Sequence, residues 1–173
     1  MVVRVSKPEF NLREKLTELD YSQVPYEKMP AGSIIQFKQL QLTNADVGGF
    51  FLTTNSSSFT QTNTDFSLSI SPRFNTSKIN ITVITFKYLS SADYAYTTIY
   101  RDDTNLGGSD RGLSEESGNS HTWNTVVINF LDSPATTSTI TYKIYARRNT
   151  GGTLYLGGDN DVVNTITLME VKQ

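Results

Sequence analysis

The stretch Ile128–Arg148 reads INFLDSPATTSTITYKIYARR, and its alternation decides the fold class. Ahead of the bridge, Val126, Ile128 and Phe130 fall on one side of an extended chain, with Trp123, Val127 and Leu131 on the other. After it, Ile140, Tyr142 and Ile144 alternate with Thr141, Lys143 and Tyr145. A period of two marks a strand, because successive side chains point to opposite faces. Between the runs, Asp132–Ser138 holds one proline and a burst of Ser and Thr. Pro134 fixes its own φ and has no N–H to give, so this segment is expected to join two strands. The unit is strand, connection, strand, without a cluster of catalytic side chains.

The pattern spreads outward. In DFSLSIS, Phe66, Leu68 and Ile70 face in and the serines face out. KINITVITFKYL places Ile79, Ile81 and Val83 on one side and Ile84, Phe86 and Tyr88 on the other. SIIQFKQLQL puts Ile35 and Phe37 on one face, with Leu40 and Leu42 on the other or past a bulge. YAYTTIYRDD, GTLYLGG and NTITLMEV bring the set to about eight strands separated by polar turns. No helical period intervenes after residue 30, which argues against βαβ units. Two long polar spans, 52–65 and 101–122, are read as loops. The expected fold is all-β: an antiparallel β-sandwich, jelly-roll-like, over residues 31–173.

Composition agrees. The chain holds 23 Thr, 18 Ser and 13 Asn among its 173 residues. Thr suits an exposed strand face and Ser and Asn suit turns. Only 18% of residues are charged and the net charge is -2, so nothing resembles the basic stripe of a nucleic-acid-binding domain. There is no cysteine, which removes disulfides, thiolate catalysis and cysteine–zinc sites. No apolar run is long enough to cross a bilayer, so membrane insertion is not expected. The N-terminus shows no apolar signal core, so conventional secretion is not expected either.

Residues 1–30 differ from the rest. FNLREKLTELDY spaces Leu12, Leu16 and Leu19 along one helical stripe, with Asn11 as N-cap and Glu14 three residues on. A helix of about three turns is marginal alone, so its stripe needs a partner. Pro25 and Pro30 then break the helical pattern, and the segment reads as an attachment helix followed by a linker. Leu12, Leu16 and Leu19 are the candidate anchoring residues.

Candidate chemistry is thin. His121 is the only histidine and reads as an ordinary residue at a strand entry. Asp102, Asp103, Asp110, Glu115 and Glu116 share one loop region, without the spacing of a paired-carboxylate site. These residues, or Asp159 and Asp161 in GGDND, could offer hard oxygen ligands to calcium, and the plainer reading is solvated turns. No other cofactor is suggested. Tyr94, Tyr96 and Tyr100 share one face of one strand and are the candidate interface or ligand contact, with half-buried packing as the plain alternative.

Several motifs carry a resemblance. MPAGSIIQFKQLQLTN, FLDSPATTSTITYKIYARR and NTITLMEV resemble strands of small structural proteins from marine bacteriophages, cyanophages especially. The matching features are the Gly32 turn, the Asp132-Ser133-Pro134 bridge, the Thr141-Tyr142-Lys143 strand and the closing Met169-Glu170-Val171. KPEFNLREKLTELD is similar to the attachment piece on such proteins. The resemblance implies a non-enzymatic virion surface protein: a head- or tail-attached fibre or decoration module, trimeric and partnered with other virion proteins, assembled in the host cytoplasm. The alternative is a carbohydrate-binding adhesin for host surface glycans.

Overall fold

The computed structural model describes residues 24–119, 121–159 and 161–173. The anchoring helix with Leu12, Leu16 and Leu19 lies outside the described residues. The elements are β1 (Ile34–Leu42), α1 (Asn44–Val47), β2 (Leu52–Thr54), β3 (Thr60–Gln61), β4 (Ser67–Ile70), β5 (Lys78–Leu89), β6 (Asp93–Arg101), β7 (Thr104–Asn105), β8 (Ser114–Gly118), β9 (Thr122–Asp132), β10 (Ile140–Arg148), β11 (Leu154–Leu156) and β12 (Asn164–Val171).

All pairings are antiparallel and form two sheets. In the first sheet, β5 lies between β9 and β12, and β1 flanks β12. The short pair β11 and β2 extends the sheet beside the last residues of β5. In the second sheet, β10 and β6 are central; β4 and β3 line one edge, β8 and β7 the other. The principal strands in chain order are β1, β4, β5, β6, β8, β9, β10 and β12. The first sheet then reads first, eighth, third, sixth, and the second reads second, seventh, fourth, fifth. That order is two nested Greek keys, a jelly roll.

The inner faces carry the predicted alternation. Ile79, Ile81, Val83, Val126, Ile128, Ile166 and Leu168 of the first sheet meet Phe66, Ile70, Ile140, Tyr142, Ile144 and Ile99 of the second. Each such aliphatic side chain contributes about 1.5–3 kcal/mol through burial. A smaller cluster of Leu52, Leu89, Ala95, Ala146, Leu154 and Leu156 fills the end where β5 finishes. Phe37 faces outward from β1, with Leu42 against the core, and the strand register shifts between Ile34 and Gln36.

The bridge from Asp132 to Ile140 carries the chain from one sheet to the other. Asp132 ends β9 facing inward, and Tyr142 of β10 donates its hydroxyl to Oδ2 at 2.8 Å. Arg101 of β6 donates Nη1 to both carboxylate oxygens at 2.9 Å. The two sides of the bridge, Asp132 and Tyr142, are therefore stapled together across the sandwich. Burial pushes the Tyr142 hydroxyl far above its usual range, and its bond to Asp132 adds to the shift.

Both loop readings are corrected. The span 52–65 contains the short edge strands β2 and β3, which pair with β11 and β10. The span 101–122, read as a loop, contains β7 and β8, and β8 is a principal strand of the second sheet. SEESG has no apolar face to signal a strand. Its inward Glu116 instead meets Lys87, which β5 turns into the core, at 2.7 Å. Burial pushes the Lys87 ammonium below its usual range, while the hydrogen bond and charge of Glu116 pull it back. A buried charge requires such a partner, so a polar strand covers this corner. GTLYLGG, counted among the expected strands, forms β11, outside the principal order.

Residues 24–30, read as linker, are fastened to the domain. Tyr26–Lys28 form a 3-10 turn, and Lys172 Nζ donates to the carbonyls of Tyr26, Glu27 and Met29 at 3.0, 2.7 and 2.6 Å. Arg73 lies over the Tyr26 ring at 4.9 Å. The chain thus enters the domain at the end where β12 finishes and β5 begins.

Candidate functional site

The outward residues of the first sheet form rows across its strands. Lys78 and Val171 pair at the chain entry, and Leu131, Asn80, Met169 and Phe37 make the row after them. Asn129, Thr82, Thr167 and Gln39 make the next, tied by Asn129 Nδ2 to Thr82 Oγ1 at 3.0 Å and Gln39 Nε2 to Thr167 Oγ1 at 3.1 Å. Val127, Ile84, Thr165 and Gln41 follow. Thr125 and Phe86 come next, and Trp123, Tyr88 and Tyr155 form the last row. Apart from Lys78, every one of these side chains is apolar, aromatic, hydroxyl or amide.

Three of them are widely open. Val127 is 60% exposed, Phe37 58% and Leu131 50%. The cause is local: β9 is an edge strand with apolar residues at both parities, so one set enters the core and the other has nothing above it among the described residues. Such a face is atypical of a free surface, because contiguous apolar patches mark contact sites and charge is depleted where proteins meet.

The last row is an aromatic platform. Tyr88 sits 5.0 Å from Trp123 and 5.7 Å from Tyr155, measured between ring centroids. Phe50, from the loop after α1, lies 6.1 Å from Trp123 and 5.0 Å from Tyr155. These rings come from four elements, which is why sequence reading missed them as a group. Only the Trp123–Tyr88 pairing had a signal, in the outward parity of β5 and β9.

The tyrosine row of the second sheet is more closed than the sequence suggested. Tyr94, Tyr96 and Tyr100 do share the outer face of β6, and Tyr94 stacks on Tyr96 at 6.5 Å. Tyr96 is buried beneath Arg147, whose guanidinium sits 4.2 Å from the ring centroid. Arg147 also reaches the carbonyl and carboxylate of Asp110 and the carbonyl of Ser57, clamping two loops over the sheet. Tyr100 stacks on Tyr145 at 3.9 Å. Only Tyr94 stays open.

The candidate carboxylates are dispersed among separate partners. Asp102 Oδ1 accepts the Thr141 N–H at 2.9 Å. Asp103 lies 3.5 Å from Lys143, Asp110 pairs with Arg147, Glu115 lies 2.8 Å from Arg111, and Glu116 pairs with Lys87. They hold loops and strand edges. Asp159 and Asp161 line a surface cavity with α1 and Phe50. His121 occupies a left-handed turn at φ 62° before β9, with its ring 6.0 Å from Tyr88. Among the described residues no cluster of three or more His, Cys, Asp or Glu side chains is arranged to hold a metal.

No family model and no curated protein matches the chain. Similar structures occur in infectious bursal disease virus. A crystal structure of the viral particle matches at TM-score 0.49 and 12% identity, over 87% of this chain and 35% of that chain. The structure of the Gx strain matches at 0.44 and 15%, over 82% and 38%. A mutant VP2 protein of the virus, in derived particles, matches at 0.39 and 15%, over 87% and 40%. The chain thus spans between about a third and two fifths of those chains. The jelly-roll assignment itself rests on the strand order above.

Proposed function

We propose that this chain is a non-enzymatic structural module of a virus particle, displayed on its surface, anchored by the N-terminal segment and assembled into trimers through the outer face of the first sheet. The observation that carries the reading is that face: over its four strands only Lys78, at the end by the chain entry, is charged, and Val127, Phe37 and Leu131 are open to solvent. A second copy is the occupant its chemistry favours. Beyond Lys78 the face offers no charge for a charged partner to complement, and none to oppose a like surface. Three copies in a closed ring would cover the apolar rows nearest the chain entry. The resemblance of the strand motifs to marine phage structural proteins supports placement on a particle, and the entry of residues 24–30 beside those rows supports anchoring there.

Sedimentation velocity of the full chain and of Val127→Lys tests the assembly. The expected result is a trimer for the full chain and a monomer with unchanged circular dichroism for the variant. A full chain that stays monomeric at tens of micromolar, or a variant that still forms trimers, would overturn the reading.

A further inference from the structure

The aromatic row lies at the far end of the first sheet from the chain entry. β5 separates the two ends: Lys78 pairs with Val171 at one, and Tyr88 pairs with Trp123 at the other. At about 3.3 Å per residue the separation is roughly 33 Å. On the anchoring proposed above, on which this inference rests, the distant end is the one turned away from the particle.

The rings adjoin two surface cavities. One, of about 530 Å³, is lined by Asn44, Ala45, Gly48, Gly49, Phe50, Asp159 and Asp161. The other, of about 370 Å³, is lined by Thr53, Thr54, Asn55, Thr153 and Tyr155. Phe50 belongs to the first wall and Tyr155 to the second, and these two rings stand 5.0 Å apart, so the platform borders both. Its rings remain accessible, with Trp123 42% and Phe50 39% exposed.

The walls are well held. Asn44 Nδ2 donates to the Gly158 carbonyl at 2.6 Å, tying α1 to the residues just after β11. Asn164 is fully buried and donates to the carbonyls of Gly157 and Val162 at 2.8 and 3.0 Å. Its Oδ1 accepts the Thr85 hydroxyl at 2.8 Å. Gly157, at φ 112°, allows the close approach: a Cβ there would stand 2.8 Å from Asn44 Oδ1 and 3.1 Å from the Phe51 backbone nitrogen.

We infer that this platform and its two flanking cavities form a binding site for neutral glycans. A pyranose ring has an apolar face of C–H bonds and a rim of hydroxyls. Trp123, Tyr88 and Phe50 offer flat rings for the first. Asn55, Thr53, Thr153, Asp159 and Asp161 offer acceptors and donors for the second. A concave apolar floor with a few convergent polar groups is the general form of a ligand site. Among the described residues, two carboxylates and no lysine or arginine line the cavities. That balance disfavours phosphate, sulfate and uronate, and leaves uncharged sugars as the matching class. The site stands apart from the apolar rows assigned to assembly.

Trp123 is the only tryptophan, so its fluorescence reports from the site alone. The full chain is titrated with neutral hexasaccharides of glucose, mannose and N-acetylglucosamine, and screened on an array of neutral and anionic glycans. The expected result is a saturable change in Trp123 emission with at least one neutral glycan, and retention of neutral over anionic glycans on the array. Tyr155→Ser and Trp123→Leu, checked for unchanged thermal unfolding, should weaken retention about tenfold. Val127→Lys should leave sugar binding intact while dissolving the trimer, which separates this site from the assembly face. No neutral glycan bound at millimolar concentration, or equal binding by both platform variants, would overturn the inference. So would an emission change that follows protein concentration alone, since the rings would then be a contact between copies.

Discussion

Replacing Asp132 by alanine tests the staple that joins the sheets. The carboxylate is nearly enclosed and accepts Tyr142 Oη at 2.8 Å and Arg101 Nη1 at 2.9 Å. After the change, the fully buried Tyr142 hydroxyl has lost its acceptor, which costs about 1–3 kcal/mol. Arg101 loses its counter-charge but is 25% exposed, so water recovers part of it and its share is held to about 1 kcal/mol. The sum is about 3 kcal/mol, at the low end of the range for breaking a buried pair by removing one partner. Tyr142→Phe should cost only about 1 kcal/mol, because Asp132 keeps Arg101. The assay is urea unfolding at fixed protomer concentration, since assembly also contributes to measured stability. At a slope of about 1–3 kcal/mol per molar, the Asp132→Ala midpoint should fall by roughly 1–3 M. The two changes share a partner, so they should be non-additive in a double-mutant cycle. A loss under about 1 kcal/mol for Asp132→Ala, or strict additivity with Tyr142→Phe, would refute the staple.

The remaining predictions use other parts of the fold. Burial alone would raise the Asp93 carboxyl, but N–H bonds from Gly151, Tyr94 and Thr150 and the charge of Arg148 outweigh it and hold it below its usual value. A depressed acid stabilises the fold above its unfolded pKa, near 4, and that contribution is lost as pH falls through the folded value; Asp93→Asn should flatten the acid limb of a stability-against-pH curve. Gly112→Ala should destabilise by about 1–3 kcal/mol, since φ is +67° and the new Cβ would stand 2.7 Å from the Thr97 carbonyl oxygen; differential scanning calorimetry reads it. Removing residues 1–23 should leave the circular dichroism and unfolding of the sandwich unchanged while abolishing incorporation into particles, scored by co-sedimentation.

Much of the fold was legible because β5, β9 and β10 alternate cleanly, and a period of two fixes which side chains face the core. Strand order was not legible, because it depends on pairings such as Leu168 with Ile81 and Tyr142 with Arg101, set by partners far apart in the chain. β8 was hidden because its partner on the inner face is a lysine, so the strand that covers it is acidic. At the candidate site, the second apolar parity of β9 was visible in Trp123, Val127 and Leu131. Its meaning needed the sheet, which leaves all three exposed. The tyrosine row of β6 illustrates the converse: shared parity was read correctly, yet Arg147 closes over Tyr96 from a strand that parity cannot place alongside it.

The most direct test of the central claim is a cryo-electron density map of the assembled oligomer at a resolution that shows strands. The account predicts three copies with the Leu131, Val127 and Phe37 rows of the first sheet in the subunit contacts, the chain entry at one end and the Trp123 row at the other. A map with the Tyr94 face of the second sheet in the contacts, and the Val127 rows open to solvent, would contradict it.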